Sequence, residues 1–196
     1  MSDPQELLGI GLYSPAEAER LIGVRRGKIV RWLRGHGIRG RHYERLWKPQ
    51  VDLGDGHVYL GFHDLMEARV ADAFISKGLS AQKVRRAIEL AREMIGAQRP
   101  LSTHRFRTDG QSVFLQMARE DGKDDLIDLF RRQYAFREIV APSLTNVEFD
   151  PEGLPSRWWP KGKSAGIVVD PTRAFGQPID AATAVPVAVL AAAVGA

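Results

Sequence analysis

The chain has 196 residues, 44% hydrophobic and 27% charged, a balance that supplies one or two real cores and excludes wholesale disorder. Cysteine is absent, which excludes a disulfide scaffold, a cysteine-based zinc site and a thiol nucleophile, and makes a reducing cytoplasm the expected location. Lys and Arg number 28 against 24 Asp and Glu, a net charge of +4, so the placement of charge says more than its sum.

The first residues, Met1 to Glu6, have no basic or apolar stretch of the kind a signal peptide needs. Ser14-Pro15-Ala16-Glu17 is a capping box with Pro at the first helical position, predicting a short helix over 15–22 that Gly23 stops. A second helix is expected over about 25–35. On a helical wheel Ile29, Val30, Trp32 and Leu33 fall on one side, and Lys28, Arg31 and Arg34 on the other. Arg25 and Arg26 stand at its N-terminal end, where cations oppose the helix dipole, so helix stability does not explain them. Two short helices with a tight turn between them make a helix-turn-helix. Leu46-Trp47-Lys48 and His57-Val58-Tyr59-Leu60, separated by Gly54-Asp55-Gly56, read as two strands of a wing. Helices follow over 64–77 and, behind a Ser80 cap, over 81–95. Leu101–Arg107 and Gln111–Met117 around Asp109-Gly110 read as a β-hairpin. A helix is expected over 126–140, then paired strands at Val147–Phe149 and Arg157–Trp159, a segment beginning Ile167-Val168-Val169, and an apolar helical tail over 188–194. The stretch 181–196 carries no charge. It is split by Pro186 and falls short of the ~20 apolar residues of a spanning helix, so no membrane role is expected.

Charge is unevenly spread. Between Ser14 and Lys48 there are ten bases (Arg20, Arg25, Arg26, Lys28, Arg31, Arg34, Arg39, Arg41, Arg45, Lys48) and three acids (Glu17, Glu19, Glu44), a local charge of +7 that leaves −3 for the rest. That asymmetry fits a polyanion-binding module joined to something else, or a solvated basic face. Catalytic signatures are missing. Gly162-Lys163-Ser164 lacks the earlier glycine of a phosphate-binding loop, since position 157 is Arg. His36, His42, His57, His63 and His104 form no metal-ligand pair by spacing. The acidic run Asp121, Asp124, Asp125 and Asp128 lacks the spacing of a calcium loop. No enzyme and no cofactor is expected.

Residues 13–95 resemble the DNA-binding domain of MerR-like regulators, through Ala18, Leu21, Gly23 and Val24 in the helix-turn-helix, Tyr59–Leu65 after the wing, and Gly78-Leu79-Ser80 before the next helix. Asp170-Pro171-Thr172-Arg173-Ala174-Phe175-Gly176-Gln177-Pro178, with Thr183 and Pro186-Val187, resembles the start of a small antitoxin-associated module. Ala182 and Ala184 depart from that module's pattern, and two or three further helices would be expected after residue 196. Together the two resemble VapB-type antitoxins, whose members partner PIN-like ribonuclease toxins and repress their own operon. The resemblance implies an α+β, mostly helical fold: a winged helix-turn-helix over 1–97, a small α+β domain with hairpins over 98–165, and the module over 166–196. It implies a cytoplasmic antitoxin and transcriptional repressor, with operator DNA and a toxin as partners. A homodimer is expected because a single short helix reads few bases and two half-sites multiply specificity. An effector-responsive regulator without a toxin is the alternative. The expected DNA contacts are Arg25, Arg26, Lys28 and Arg31, with Arg34 and Lys48 on phosphates and His57 at the wing tip. Trp158, Trp159 and Phe175 are candidate toxin contacts, the two tryptophans being equally readable as core.

Overall fold

The computed structural model describes residues 9–38, 40–121 and 133–194. Met1–Glu6, Arg39, the start of the helix expected over 126–140, and Asp124, Asp125 and Asp128 lie outside them. The described chain is α+β, with eight α-helices and two small antiparallel sheets.

Helix α1 (Pro15–Ile22) carries both halves of its capping box: Glu17 N–H donates to Ser14 Oγ at 3.3 Å and Ser14 N–H donates to Glu17 Oε2 at 2.8 Å. Gly23, at φ +74°, ends it. Helix α2 (Arg26–Arg34) buries Ile29, Trp32 and Leu33. At Gly35 (φ +73°) a Cβ would lie 2.6 Å from the Tyr43 carbonyl oxygen, so only glycine lets the chain fold back this closely. It enters a hairpin of β1 (His36–Ile38) and β2 (Arg41–Tyr43), with His36 opposite Tyr43.

The wing expected from 46–48 and 57–60 does not form. Leu46 and Trp47 are both buried instead of alternating, and Leu46 N–H donates to the Trp32 carbonyl at 2.7 Å. Between them and Leu60, carboxylates take the backbone donors a hairpin would use: Asp52 accepts from Gly54 N–H at 3.0 Å and Asp55 from His57 N–H at 2.9 Å. Leu60 pairs with Tyr13.

Helix α3 (Phe62–Ser76) is buried on most of its circumference and forms the centre of the molecule. Two of its acids organise what surrounds it. Asp64 accepts from Trp47 Nε1 at 3.0 Å, Gln50 N–H at 2.6 Å, Gly61 N–H at 3.1 Å and the Arg99 guanidinium. Glu67 accepts from Leu101 N–H at 3.1 Å and Ser102 N–H at 2.9 Å. Helix α4 (Ala81–Ile95) is capped by Ser80 and ended by Gly96 at φ +81°.

Residues 101–117 are helical, not a hairpin. Thr103 caps α5 (His104–Asp109), and α6 (Gln111–Asp121) follows. Gly110 sits at φ −60°, ψ −17°, so Asp109-Gly110 makes no left-handed turn. The buried residues Phe106, Val113, Phe114 and Met117 have helical spacing. Phe106 and Phe114 join Phe74 of α3 and Phe136 of α7 (Gln133–Ser143) in a cluster with ring centroids 4.9–6.4 Å apart.

The second sheet has the order β3 (Val147–Phe149), β4 (Pro155–Trp158), β5 (Ile167–Val169), β6 (Pro178–Asp180), all antiparallel. Helix α8 (Val187–Val194) ends the described chain. One buried apolar cluster runs from Tyr13 to Val169 and crosses the segment 97–100 without a break. Leu12 N–H donates to the Phe175 carbonyl at 2.9 Å and the Tyr13 hydroxyl to the Gly176 carbonyl at 2.8 Å, so the first described residues are tied to the last sheet. No helix among the described residues is long and apolar enough to cross a membrane.

Candidate nucleic-acid interface

The basic residues of α2 divide by what they touch. Arg25, Arg26, Arg31 and Arg34 are exposed, and none has an ion pair with a described residue. Lys28 is different: its Nζ donates to Asp72 of α3 at 2.6 Å and lies 5.2 Å from the Trp32 ring centroid. It helps hold α2 against α3. The N-terminus of α2 has no side-chain cap and no acid in its first turn, so its free N–H groups and the helix dipole add to the charge of Arg25 and Arg26. An anion is the natural counterpart of such a helix end.

Two grooves flank this face. One, of about 260 Å³, brings Arg34 together with His57, Val58 and Tyr59 beside the start of α1. The other, of about 570 Å³, lies between α2, the β1–β2 hairpin and the start of α4, and brings Arg31 together with His36, Arg41, His42 and Arg85. Arg85 already pairs with Glu44 at 3.3 Å and Glu89 at 3.6 Å. The His36 ring stacks on Tyr43 with centroids 5.0 Å apart, and its Nδ1 is buried without a hydrogen-bond partner among the described residues. Lys48 is exposed but lines neither groove. Arg41 and His42 are among the bases and histidines counted from the sequence but not among the expected DNA contacts. The signal for them was Gly40 between two arginines inside a short alternating stretch, masked by the stronger Gly-Asp-Gly turn downstream.

In the C-terminal part the three aromatic candidates separate. Trp158 is 5% exposed and lies in the core, with the Arg69 guanidinium 4.2 Å from its ring centroid. Burial lowers the Arg69 pKa to about 10, which leaves it charged at neutral pH. Trp159 is half-buried and donates its indole N–H to Glu148 at 3.1 Å. Lys163 and this indole hold the Glu148 carboxyl below its ordinary value, against a smaller opposing effect of burial. Phe175 is 59% exposed.

No known protein-family profile matches the chain. It is similar to a Mycobacterium tuberculosis protein named "Putative antitoxin VapB45", 29% identical over 196 residues, covering 91% of this chain and 82% of that one. Its fold is similar to the crystal structure of Rv2018, also from Mycobacterium tuberculosis, with a TM-score of 0.75 and 27% identity over 95% of this chain and 87% of that one.

Most of the motif from Asp170 to Pro178 has work inside the fold. Asp170 accepts from Thr172 N–H at 2.9 Å, Thr172 Oγ1 at 2.6 Å and Arg157 Nε at 2.9 Å. Burial pushes its carboxyl up, but these partners outweigh burial and leave it below its ordinary value. Gly176, at φ +80°, lets the backbone pass against Tyr13. Phe175 is the exception. Ala174 and Phe175 hold φ of +45° and +52°, a conformation unfavourable for residues with a Cβ, and the turn leaves the Phe175 ring largely in solvent. Among the described residues no group of His, Asp and Glu is placed to hold a metal ion.

Proposed function

We propose that this protein is the antitoxin of a toxin–antitoxin pair, binding a PIN-like ribonuclease toxin and repressing its own operon through DNA. The observation that carries the reading is the end-to-end similarity to a protein named as an antitoxin. The exposed arginines of α2 support the DNA half. Arg26 and Arg31 read or clamp the major groove, Arg25 and Arg34 hold phosphates, and Lys28 acts by fixing α2 on α3. The β1–β2 hairpin takes the place of the expected wing, with Arg41 and His42 toward the DNA backbone. Phe175 is the candidate toxin contact, because it is an aromatic side chain the fold itself leaves largely unburied.

The first experiment is co-expression with the neighbouring open reading frame. That product should arrest growth alone, and the pair should grow and co-purify; a neighbour that neither poisons nor binds overturns the reading. The DNA half is tested separately. Combined Arg26→Ala and Arg31→Ala should weaken binding to the upstream DNA by at least tenfold. If six phosphates are held, wild-type affinity should fall on the order of 10³-fold between 50 and 200 mM salt.

A second reading, an effector-responsive regulator, has its own observation. A cavity of about 430 Å³ lies between the end of α4, the start of α5 and the β3–β4 turn, lined by His63, Arg99, Arg105 and Glu152 among others. Burial lowers the His63 pKa, and its Nε2–H donates to the Pro155 carbonyl at 3.0 Å. A small anion that raises the melting temperature with no protein partner present would favour this reading.

A further inference from the structure

We infer that the groove between α2, the β1–β2 hairpin and the start of α4 is a binding site for a mononucleotide, a phosphate monoester that carries a planar base. Guanidinium groups reach it from three different elements: Arg31 of α2, Arg41 of β2 and Arg85 of α4. Arg31 and Arg41 are exposed, and neither has an ion pair with a described residue. The acid in the groove wall is Glu44, 3.3 Å from Arg85 and itself 71% exposed. Three cations against one anion leave two positive charges unmatched. A phosphate monoester near neutral pH carries about −1.5 to −2. Helix α4 opens into the same groove at Ala81 and Gln82. Its Ser80 cap takes the Lys83 N–H and no acid stands in its first turn, so those two N–H groups have no partner within the helix. His36 also lines the groove, and its Nδ1 is buried with no hydrogen-bond partner among the described residues. A phosphate oxygen or a sugar hydroxyl would supply one.

The ring half of the ligand has its own support. Tyr43 stays 43% exposed although the His36 ring lies nearly parallel to it, at an interplanar angle of 12°. That leaves an aromatic platform, and every base has a face to stack on one. Trp32 and Leu46, both buried, give the groove an apolar wall. A volume of about 570 Å³ is that of a small-molecule site. Duplex DNA fits the groove less well. Its backbone is convex and its bases are stacked on each other, so it can meet the exposed Arg31 and Arg41. It cannot lay a base on Tyr43, and it meets little of Arg85, whose side chain is only 28% exposed. Because Arg31 would serve both ligands, nucleotide and DNA should exclude one another. That consequence rests on the DNA half of the proposed function; the site itself does not.

The test uses the full chain. Calorimetric titration with each of the four ribonucleoside 5′-monophosphates should show one site per chain, with dissociation constants below about 1 mM and within about tenfold of one another. Inorganic phosphate and adenosine, titrated separately, should each bind at least about tenfold more weakly than adenosine 5′-monophosphate. Arg85→Gln should weaken that nucleotide by at least about tenfold. His36→Phe, which keeps a ring beside Tyr43, should weaken it by about threefold. Arg105→Gln, in the separate cavity of about 430 Å³, should change nothing. If circular dichroism shows that Arg85→Gln does not fold, Tyr43→Ala on the exposed hairpin gives the same readout. Absence of binding by all four nucleotides at about 1 mM overturns the inference. So does inorganic phosphate binding as tightly as the nucleotide, which would mean a bare anion site, and so does an affinity that Arg105→Gln lowers while Arg85→Gln does not. In gel shifts with the upstream duplex, Arg85→Gln should stay within about twofold of wild type. Equal losses for duplex and nucleotide would mean that the groove holds the DNA backbone, and would overturn the inference too. A wild-type chain that binds the nucleotide but no duplex upholds the site and removes the DNA half of the proposed function.

Discussion

At Gly176 a Cβ would overlap the Tyr13 hydroxyl outright and lie 3.2 Å from the Gly11 Cα, with φ already at +80°. Two penalties therefore coincide at one residue: left-handed backbone and overpacking against buried groups. Gly23 separates them, since it has a similar φ of +74° and nothing within 4 Å of its Cβ position. Gly23→Ala should cost about 1 kcal/mol. Gly176→Ala should add the overpacking penalty, reaching about 2–4 kcal/mol. Urea unfolding of the two variants, side by side, checks the difference; equal losses would mean that Tyr13 moves aside freely. Lys28 calls for a similar separation of roles. Its partner Asp72 lies at 2.6 Å, with both side chains a little under 30% exposed, so solvent holds the pair to at most about 1 kcal/mol. Lys28→Ala should thus lower stability slightly and weaken DNA binding severalfold less than Arg26→Ala. A DNA loss equal to that of Arg26→Ala would place Lys28 in the contact set itself.

Glu67 joins one element to the next, and its environment sets a pH dependence. Burial pushes its carboxyl from 4.5 up to about 7, although the N–H groups of Leu101 and Ser102 pull the other way. The folded protein therefore holds this proton over a range where the unfolded chain has released it. Its contribution to stability is fully present below about pH 4.5 and is lost as pH rises through about 7. Glu67→Gln removes the titration while keeping one acceptor. Between pH 5 and 8 the stability of Glu67→Gln relative to wild type should rise with pH, by on the order of 2–3 kcal/mol. Parallel curves in thermal melts across that range would mean that Glu67 stays ionised throughout. The same element shows what can be read from sequence. Caps and stops are local, so Ser14 with Glu17, Gly23, Ser80 and Gly96 marked the helix ends of α1 and α4 correctly. The Asp-Gly pair at 109–110 misled, because an αR conformation is open to glycine too and helical spacing from Phe106 to Met117 outweighs it. The strands expected at 46–48 and 57–60 are missing for a related reason. Asp52 and Asp55 bond their own loop, which local pattern cannot distinguish from a hairpin turn. In the candidate site, the exposed arginines of α2 were legible on a helical wheel. The tie from Lys28 to Asp72, 44 residues away, and the burial of Trp158 under Arg69 depend on long-range packing that no local pattern carries.

For the whole molecule the governing fact is that chain order and packing order differ. A division near residue 97 would leave Phe74 on one side and Phe106, Phe114 and Phe136 on the other, although these rings form a single cluster. Val147, Trp158 and Val169 belong to the same core, and Tyr13 reaches across 163 positions to Gly176. Removing residues 146–196 to isolate a DNA-binding part would therefore uncover the Arg69 guanidinium and strip the core of three large side chains. Losses of 2–5 kcal/mol for each large core side chain removed exceed together what a domain of this size has to spare. The 1–145 chain should show no cooperative unfolding transition in urea. Helix α8 is the opposite case, exposed over residues 188–193 and resting on β6. Removing residues 187–196 should shift the melting temperature by less than about 4 °C. If 1–145 unfolds cooperatively and retains DNA binding, the first part folds alone and Val147, Trp158 and Val169 are dispensable to it. If loss of α8 alone collapses the fold, its apolar face has a partner within the same chain.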